Sequence, residues 1–266
     1  MAELRHLEGR EELAACVELQ RRTWGEDFTE CVPASILQVS QKIGGMLGGA
    51  WDGDRLVGFV YSLIGFQEGH PAHWSHMLAV DPDARGHGLG RRLKLFQRDE
   101  LLKRGVKRVF WTFDPMVARN AHLNINRLGA TVVGFIPNMY GDTTGSPLHH
   151  GPTDRFVLRW ELDSQRVRWA VESEAGQGPS EAFHEAPVIR PPESGRMQTD
   201  SELPETDTVR IEIPCDLTET MPEALPEWRA LVRDAFLTYL RRGYAVQSFH
   251  RESSAAIRCS YFLRRS

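Results

Sequence analysis

A glycine-rich hexapeptide is the feature that most constrains the fold of this chain. Residues 85–90 read RGHGLG; they follow an apolar run that ends at Val80 and precede a segment in which Leu89, Leu93 and Phe96 recur at helical spacing. Glycines let backbone N–H groups approach phosphate oxygens, and the N-terminus of the next helix adds a positive dipole end. The pattern predicts a strand, a tight turn and a helix with a pyrophosphate at the turn. A glycine turn without a ligand is the alternative.

Two common phosphate loops do not fit the hexapeptide. A Walker A loop needs Gly-Lys-Ser/Thr after four spacer residues, and neither Lys nor Ser/Thr follows Gly90. A dinucleotide fingerprint that starts at Gly86 needs glycine at position 91, where Arg91 stands. What remains is R-x-x-G-x-G, in which Arg85, with Arg91 and Arg92 nearby, adds positive charge.

Three regions are distinguishable along the chain. Residues 1–163 predict one domain with, in order, a strand, two helices, three strands, a helix, a strand, a helix and two strands. Acidic residues and prolines dominate residues 172–207, so we interpret residues 164–208 as a linker, partly disordered, with an arm packed on the domain as the alternative. Residues 209–266 predict a strand, an amphipathic helix over 222–242 and a hairpin. This last segment is small for an independent core, so we expect it to pack on the first domain or on a partner subunit.

Two stretches of the sequence resemble each other. Residues 127–135 and 241–249 share the pattern R-x-G-x-x-V-x-x-F, and each follows a predicted helix and precedes a last strand. A partial duplication explains the likeness, and so does the common use of glycine at helix ends.

The placement of the hexapeptide and the order of elements in residues 1–163 resemble the GNAT family of acyl-CoA N-acyltransferases, most specifically over residues 78–90. The resemblance implies an α/β (α+β) fold with a mixed, mostly antiparallel central sheet flanked by helices, here with a small C-terminal strand–helix–hairpin appendage. In this family R/Q-x-x-G-x-G/A binds the pyrophosphate of coenzyme A, and the preceding strand pairs its backbone with pantetheine. The resemblance therefore implies acetyl-CoA as co-substrate. The coenzyme-binding residues that it implies are Leu78, Ala79, Val80, Arg85, Gly86, His87, Gly88, Leu89, Gly90, Asn120 and Asn124.

A narrower likeness rests on the sequence after the hexapeptide. The segments NAHLN at 120–124, LGA at 128–130, NMYG at 138–141 and TDR at 153–155 look like a little-characterised branch of predicted GNAT acetyltransferases. One position departs from the family pattern. Many members carry a tyrosine about four residues before the helix-ending glycine, where it protonates the departing thiolate, and Ile125 stands here. Tyr140, the nearest tyrosine downstream, is our candidate acid, with a loop aromatic packed on the surface as the alternative.

Two further residues are candidates for acyl-transfer chemistry. His76 lies on the strand before the hexapeptide and is the candidate base, since histidine titrates near neutral pH. Strand alternation would place it on the face of Leu78 and Val80, with His73 on the other face; a structural or exposed histidine is the alternative. Arg155 is a candidate clamp for a substrate carboxylate, against an Asp–Arg surface pair.

Composition excludes several classes of partner. A net charge of −4 and a pI near 6.2 give no global attraction to nucleic acid or to an anionic membrane, and no stretch approaches the ~18 apolar residues of a membrane helix. The four cysteines, Cys16, Cys31, Cys215 and Cys259, show neither a CxxC pair nor a short spacing. We therefore expect no disulfide framework, no metal site and a reducing, cytoplasmic location.

The resemblance implies an N-acyltransferase that moves an acyl group, acetyl by resemblance, from acyl-CoA to an amine. A small-molecule amine or an amino acid is the favoured acceptor, and a protein N-terminus is the alternative. The amine attacks directly in a ternary complex. A succinyl or other acyl donor, with Arg155 as its cation, is one alternative. A non-catalytic acyl-CoA-binding regulatory module is another, motivated by Ile125 and the C-terminal segment. We expect that segment to wall the acceptor side of the cleft, in the same chain or exchanged within a homodimer.

Overall fold

The computed structural model describes residues 2–26, 28–141, 153–173, 180–190, 203–217, 224–253 and 257–266. Its elements up to residue 161 are β1 (Glu3–His6), α1 (Gly9–Trp24), α2 (Ala34–Lys42), β2 (Met46–Asp52), β3 (Arg55–Gln67), β4 (His70–Val80), a 3-10 turn (Pro82–Ala84), α3 (Leu89–Lys103), β5 (Arg108–Phe113), α4 (Ala118–Ala121), a π-helix (His122–Arg127), β6 (Thr131–Ile136) and β7 (Arg155–Glu161). The predicted order of elements is confirmed. The predicted helix over 117–128 divides into one α-helical turn and a π-helix.

One seven-stranded sheet has the order β1-β2-β3-β4-β5-β7-β6. The pairs β1–β2, β2–β3, β3–β4 and β6–β7 are antiparallel, whereas β4 and β5 are parallel. The parallel pair requires a crossover, which α3 supplies. The fold is therefore the mixed, mostly antiparallel sheet with flanking helices that the sequence predicts.

Chain contacts divide the protein into two compact units. Of the described residues, those up to 111 and 160–164 form the first unit, and those of 112–141, 153–159 and 165–266 form the second. In the first unit, a core of buried apolar residues from α1, α2 and β2–β4 covers one face of the sheet.

The opposite face of β2 receives α3 at close range. A Cβ atom at Gly48 would lie 2.7 Å from Cε1 of Phe96, whereas one at the next residue, Gly49, would meet Leu7 and Leu56 of the other core. Consecutive strand residues point to opposite faces, so glycine at 48 is what lets Phe96 reach the sheet. This contact fixes the height of α3 above β2.

The second unit contains the remaining elements. They are α5 (Gln165–Glu172), α6 (Glu181–Glu185), β8 (Val188–Ile189), β9 (Thr208–Ile213), α7 (Leu225–Arg241), β10 (Tyr244–Ser253) and β11 (Ile257–Arg265). The strands form a second sheet in the order β10-β11-β9-β8. Phe156 of β7, Phe236 of α7 and Tyr261 of β11 pack together, with ring centroids 4.5 to 5.5 Å apart. The C-terminal strand–helix–hairpin thus shares an aromatic core with β7.

The region interpreted as a partly disordered linker holds secondary structure in its described residues. Besides α5, it contains α6 and β8, which pairs in parallel with β9. Phe183 is fully buried, and Ile189 and Leu203 are buried as well. For these described residues the alternative of a packed arm fits better, since burial of a few apolar side chains stabilises them.

The sequence likeness between residues 127–135 and 241–249 has a structural counterpart. The strand order β4-β5-β7-β6 recurs as β8-β9-β11-β10, and the first pair is parallel in both sets. Each hairpin carries a bulge at the same place in the pattern, between Val132 and Gly134 and between Val246 and Ser248. The agreement in strand order, register and bulge favours a partial duplication over the alternative, in which the likeness arises only because glycine commonly ends helices.

Cys215 and Cys259 form a disulfide that joins the chain after β9 to β11. The expectation that the cysteines are unsuited to a disulfide is therefore wrong. A separation of 44 residues in sequence gave no signal, because antiparallel pairing of β9 with β11 brings the two positions together. Cys16 and Cys31 are free thiols. Among the helices of the described residues, none is both long enough and apolar enough to cross a membrane.

Candidate active site

The strand before the hexapeptide is only partly paired on one side. The parallel ladder between β4 and β5 covers Ala72–Trp74 and Arg108–Phe110. On its other side β4 pairs with β3 as far as Val80, opposite Gly58. The second half of β4, which contains the candidates Leu78, Ala79 and Val80, therefore presents backbone groups along the edge where the ladder with β5 has ended.

The hexapeptide forms an exposed turn between β4 and α3. Gly86 and Gly88 have φ angles of 91° and 68°, a region that side chains disfavour, and Gly88 is the residue that caps α3. Nothing lies within 4 Å of the Cβ position at either glycine. Both glycines are therefore required by the backbone path, and the turn leaves open space beside them. Arg85 folds back and donates from Nε to the carbonyl oxygen of Val80, 3.3 Å away.

An ion-pair cluster fixes the end of β4. Asp81 is buried, accepts from the backbone N–H of Asp83 and pairs with Arg22 and with Arg55, the latter at 2.8 Å. Burial works against the charged carboxylate, yet the hydrogen bond from Arg55 and the charge of both arginines hold the pKa of Asp81 below its ordinary value. The start of the turn is thereby tied to α1 and β3.

The turn and α3 suit a pyrophosphate. The first turn of α3 contains no acidic residue, and it carries Arg91 and Arg92. Arg92 donates a hydrogen bond to the carbonyl oxygen of Ala2 at 2.6 Å, so part of its guanidinium is committed to the N-terminal segment. Free backbone N–H groups at a helix N-terminus, with glycines before them, are the donors that a phosphate needs.

His76 lies at an irregularity of β4. Tyr61 pairs with Met77 and the next residue, Ser62, pairs with Ser75, so His76 is the additional residue of a bulge. Its ring lies 6.0 Å from that of Tyr61, whose core includes Met77. The predicted alternation, with His76 on the face of Leu78 and Val80, is therefore wrong, because a bulge interrupts the period of two. The side chain is exposed at this bulge, yet desolvation by the surrounding protein lowers its pKa, against a smaller opposing effect of Glu30.

His73 is structural. It is 1% exposed, and its Nδ1 lies 2.9 Å from Oγ of Ser62. Burial, with a smaller effect of Arg104, lowers its pKa to about 4. A ring that stays neutral at pH 7 and lies away from solvent cannot exchange protons with a substrate, so His76 is the better candidate base on β4.

A buried lysine lies beneath β4 and escaped sequence reasoning. The side chain of Lys94 is buried and donates to Ser75 at 2.9 Å and Gln97 at 2.7 Å. The ammonium lies 4.0 Å from the centre of the Trp111 ring. Burial lowers its pKa to about 7. A lysine on a helix is expected to be exposed. Here a polar partner on a strand, Ser75 of β4, allows it to be buried.

The π-helix after α4 contacts the C-terminal hairpin. Ile125, at the usual tyrosine position, is 2% exposed in the π-helix. The following residue, Asn126, donates from its amide to the carbonyl oxygen of Phe249 and accepts from the N–H of the same residue. These are the two bonds that a neighbouring strand would make to β10. Of the implied coenzyme contacts, Asn124 is buried and Asn120 is half-buried. The end of the π-helix thus holds β10 of the C-terminal hairpin.

Tyr140 is held at the end of the turn after β6. Its N–H donates to Oγ1 of Thr153, and its hydroxyl lies 3.0 Å from Oγ1 of Thr112. Asn138, with a φ of 46°, accepts from the N–H of Thr153, while its own N–H donates to Asp154. The two short motifs at 138–141 and 153–155 therefore interlock, and 41% of the Tyr140 side chain remains exposed.

Arg155 lies beneath Tyr140 in an arginine–aspartate cluster. Its guanidinium is 5.4 Å from the centre of the Tyr140 ring and 4.0 Å from Asp114. Two arginines of α7 complete the cluster: Arg229 bonds Asp114 through both terminal nitrogens, and Arg233 bonds both oxygens of Asp154. Sequence reasoning found Arg155 and missed Asp114, Arg229 and Arg233, because their partners are 79 to 115 residues apart.

The predicted site residues thus fall into two groups. Leu78 to Gly90 and His76 belong to the first unit; the implied asparagines, Tyr140 and Arg155 belong to the second. His149 and His150 lie outside the described residues. Within the described ranges, no cluster of three or more His, Cys, Asp or Glu side chains is placed to hold a metal ion.

Comparison with known proteins agrees with this geometry. Residues 13–124 match the model of the acetyltransferase (GNAT) family. The ribosomal-protein-S18-alanine N-acetyltransferase from Escherichia coli is 21% identical, with a TM-score of 0.50, over 62% of this chain and 96% of that one. An aminoglycoside 6'-acetyltransferase type Ii is 20% identical, with a TM-score of 0.49, over 61% and 99%.

A further similar structure has its coenzyme bound. An aminoglycoside 6'-N-acetyltransferase complexed with coenzyme A is 17% identical, with a TM-score of 0.44, over 61% of this chain and 98% of that one. No curated protein matches the sequence. The strand order and the glycine turn that caps α3 agree with the match of residues 13–124 to the acetyltransferase (GNAT) family model.

Proposed function

We propose that the protein transfers an acetyl group from acetyl-CoA to a small amine or an amino acid by direct attack of the amine on the thioester. The observation that carries the proposal is the combination of the partly unpaired β4 edge with the exposed turn at Gly86 and Gly88. A strand edge offers bonds to an extended pantetheine, and the N-terminus of α3 offers donors to the pyrophosphate. The glycine turn follows the end of β4 within a few residues, in the order that the pantetheine and the pyrophosphate of an acyl-CoA molecule need.

His76 has the properties of the base. Its pKa is lowered, so the neutral form that accepts a proton from an ammonium dominates at pH 7. Because the free base is the active form, kcat/KM should fall as the pH decreases through this pKa, below the ordinary value of about 6.5. Replacement by glutamine should remove that limb of the pH profile.

Tyr140 has the properties of the acid. Its hydroxyl is exposed and hydrogen-bonded to Thr112, and a phenol can protonate a departing thiolate. The test is release of free thiol by the full chain with acetyl-CoA and a panel of amines. Tyr140→Phe should lower kcat several-fold and leave the affinity for the coenzyme unchanged, whereas an unchanged kcat would remove Tyr140 from the mechanism.

A non-catalytic acyl-CoA-binding module is the second candidate. The buried Ile125 at the usual tyrosine position and the use of Asn126 to hold β10 favour it. Binding of acetyl-CoA measured by calorimetry, with no thiol release on any amine of the panel, would support this candidate and refute the transferase. A matched Gly88→Ala variant should weaken binding in either case, because alanine is strained at a φ of 68°.

A further inference from the structure

The arginine–aspartate cluster of the second unit carries an unbalanced charge. Asp154 and Arg233 form a closed two-bond pair. Asp114 then faces two guanidiniums, those of Arg229 and Arg155. Its second oxygen, Oδ1, accepts from the backbone N–H of Met116. Around Asp114 the described side chains therefore hold two positive charges against one negative charge.

Both guanidiniums are withdrawn from water. Arg229 is 5% exposed and Arg155 is 7% exposed. In the described part of the chain, Nε of Arg229 is buried without a hydrogen-bond partner. Buried charges are ordinarily paired, since desolvation of an ion without a counter-ion is costly. The excess charge accordingly calls for an anion.

Arg155 is the member of the cluster that can receive one. Within the described ranges its guanidinium donates one hydrogen bond, to the backbone carbonyl oxygen of Asp154 at 2.9 Å, and it lies beneath the exposed ring of Tyr140. Arg229, by contrast, is committed through both terminal nitrogens to Asp114. The planar fork of an arginine matches a carboxylate with two parallel bonds. Desolvation, together with the charge of Arg229, also works against the charged form of Arg155, whose pKa is lowered, and an added carboxylate would relieve both effects.

We infer that Arg155, held by Asp114 and Arg229, binds a carboxylate of the substrate beside Tyr140. This rests on the proposed function, and it narrows the substrates to pairs in which either the acceptor amine or the acyl group carries a carboxylate. The C-terminal segment takes part through Arg229 and Arg233 of α7, which hold Asp114 and Asp154 in place. The segment thereby becomes part of substrate recognition.

The test compares carboxylates with their uncharged amides. The full chain is assayed for thiol release with acetyl-CoA and the common amino acids, each against its own carboxamide. Loss of a charge-assisted pair predicts a kcat/KM about 10- to 100-fold lower for the amide. In Arg155→Gln the preference should disappear, and Arg155→Lys should restore only part of it, since lysine cannot form the bidentate pair. Arg251→Gln, at an exposed arginine of β10, is the matched control and should keep the preference.

A second arm distinguishes the source of the carboxylate. If the acid and amide of one amine react alike, but succinyl-CoA is preferred over acetyl-CoA and this preference is lost in Arg155→Gln, the carboxylate belongs to the acyl group. Equal use of acid and amide together with equal use of both donors by the wild-type protein overturns the inference and leaves the transferase intact. This comparison needs no variant, so misfolding of Arg155→Gln cannot obscure it.

Absence of turnover with every amine and donor would refute the proposed function and would not decide the carboxylate site. Calorimetry then decides it. N-acetyl amino acids and their carboxamides are titrated into the coenzyme A-saturated protein. Binding of the acid at least about tenfold tighter than the amide supports the site, and equal binding overturns it.

Discussion

The hairpin β6–β7 and the hairpin β10–β11 share a register, a bulge and an aromatic pair. Phe135 faces Phe156 in the first hairpin, and Phe249 faces Tyr261 at the corresponding positions of the second. The segments around them differ in what they carry. The turn after β6 presents Tyr140, and β7 begins with Arg155, whereas the second hairpin is preceded by a seventeen-residue α-helix and fastened by a disulfide.

The two hairpins therefore share a backbone arrangement but differ in the side chains that their surroundings supply. The first hairpin follows an irregular π-helix and holds the candidate substrate residues, while the second follows a regular helix that supplies structural arginines. No R-x-x-G-x-G motif occurs between Ile189 of β8 and Thr208 of β9. The segment around the second hairpin therefore contributes support and charge, and the glycine turn of residues 85–90 has no counterpart between β8 and β9.

The largest effect should come from the aromatic core that the two hairpins share. Phe156→Ala and Tyr261→Ala should each lower the free energy of unfolding by about 3–5 kcal/mol, because each removes a fully buried ring. Their rings are 5.5 Å apart, so the double variant should cost less than the sum. Denaturant unfolding of the four proteins measures this. Additive losses would mean that the two hairpins are stabilised independently.

The disulfide should be the next largest contribution. It closes a loop of 44 residues that contains α7 and β10, and loss of such a cross-link costs about 2–4 kcal/mol. Cys259→Ala should lower the unfolding temperature under oxidising conditions, and dithiothreitol should bring the wild-type protein to a similar value. Cys31→Ala, at a half-buried free thiol, is the control and should respond to the reductant as the wild type does. A wild-type protein insensitive to reductant would contradict the prediction.

The side chain of Asn126 should contribute to the stability of the second unit through its two hydrogen bonds to β10. Asn126→Ala leaves the N–H and carbonyl of Phe249 without partners, a loss of about 1–3 kcal/mol. Hydrogen exchange should show the amide of Phe249 losing protection, while amides of β6 keep theirs. The neighbouring Asn120→Ala is the comparison, and it should leave exchange in β10 unchanged.

The smallest predicted effect is a difference in stability between alanine substitutions at two corresponding glycines, each of which ends a helix. Gly129 and Gly243 have φ angles of 71° and 80°, so alanine at either position costs about 1 kcal/mol of backbone strain. A Cβ at 129 would also lie 3.0 Å from Cβ of Ala170 and from the carbonyl oxygen of Arg166, whereas 243 is open. Gly129→Ala should therefore be the more destabilising by about 1 kcal/mol, measured by thermal unfolding. Equal losses would mean that α5 moves aside freely.

Features with a local cause could be read from the sequence. The turn at residues 85–90 and the helix after it depend on neighbours within a few positions, and both were predicted. The bulge at His76 could not be, because it is an irregularity in the pairing with β3 and not a property of the strand's own pattern. The buried state of Lys94 was missed for a similar reason: its partner Ser75 lies on a different element, nineteen residues away.

The sequence by itself determined the order of elements and the glycine turn at residues 85–90, since these follow from periodicity and from glycine placement within a short stretch of chain. Only the tertiary structure decided which charged side chains form ion pairs and which cysteines form a disulfide. Arg229 finds Asp114 across 115 residues, and Cys215 finds Cys259 across 44. Such pairs form only after the sheets and α7 have assembled, because the free energy that brings them together comes from burial of the surrounding apolar core and leaves no periodic trace in the chain.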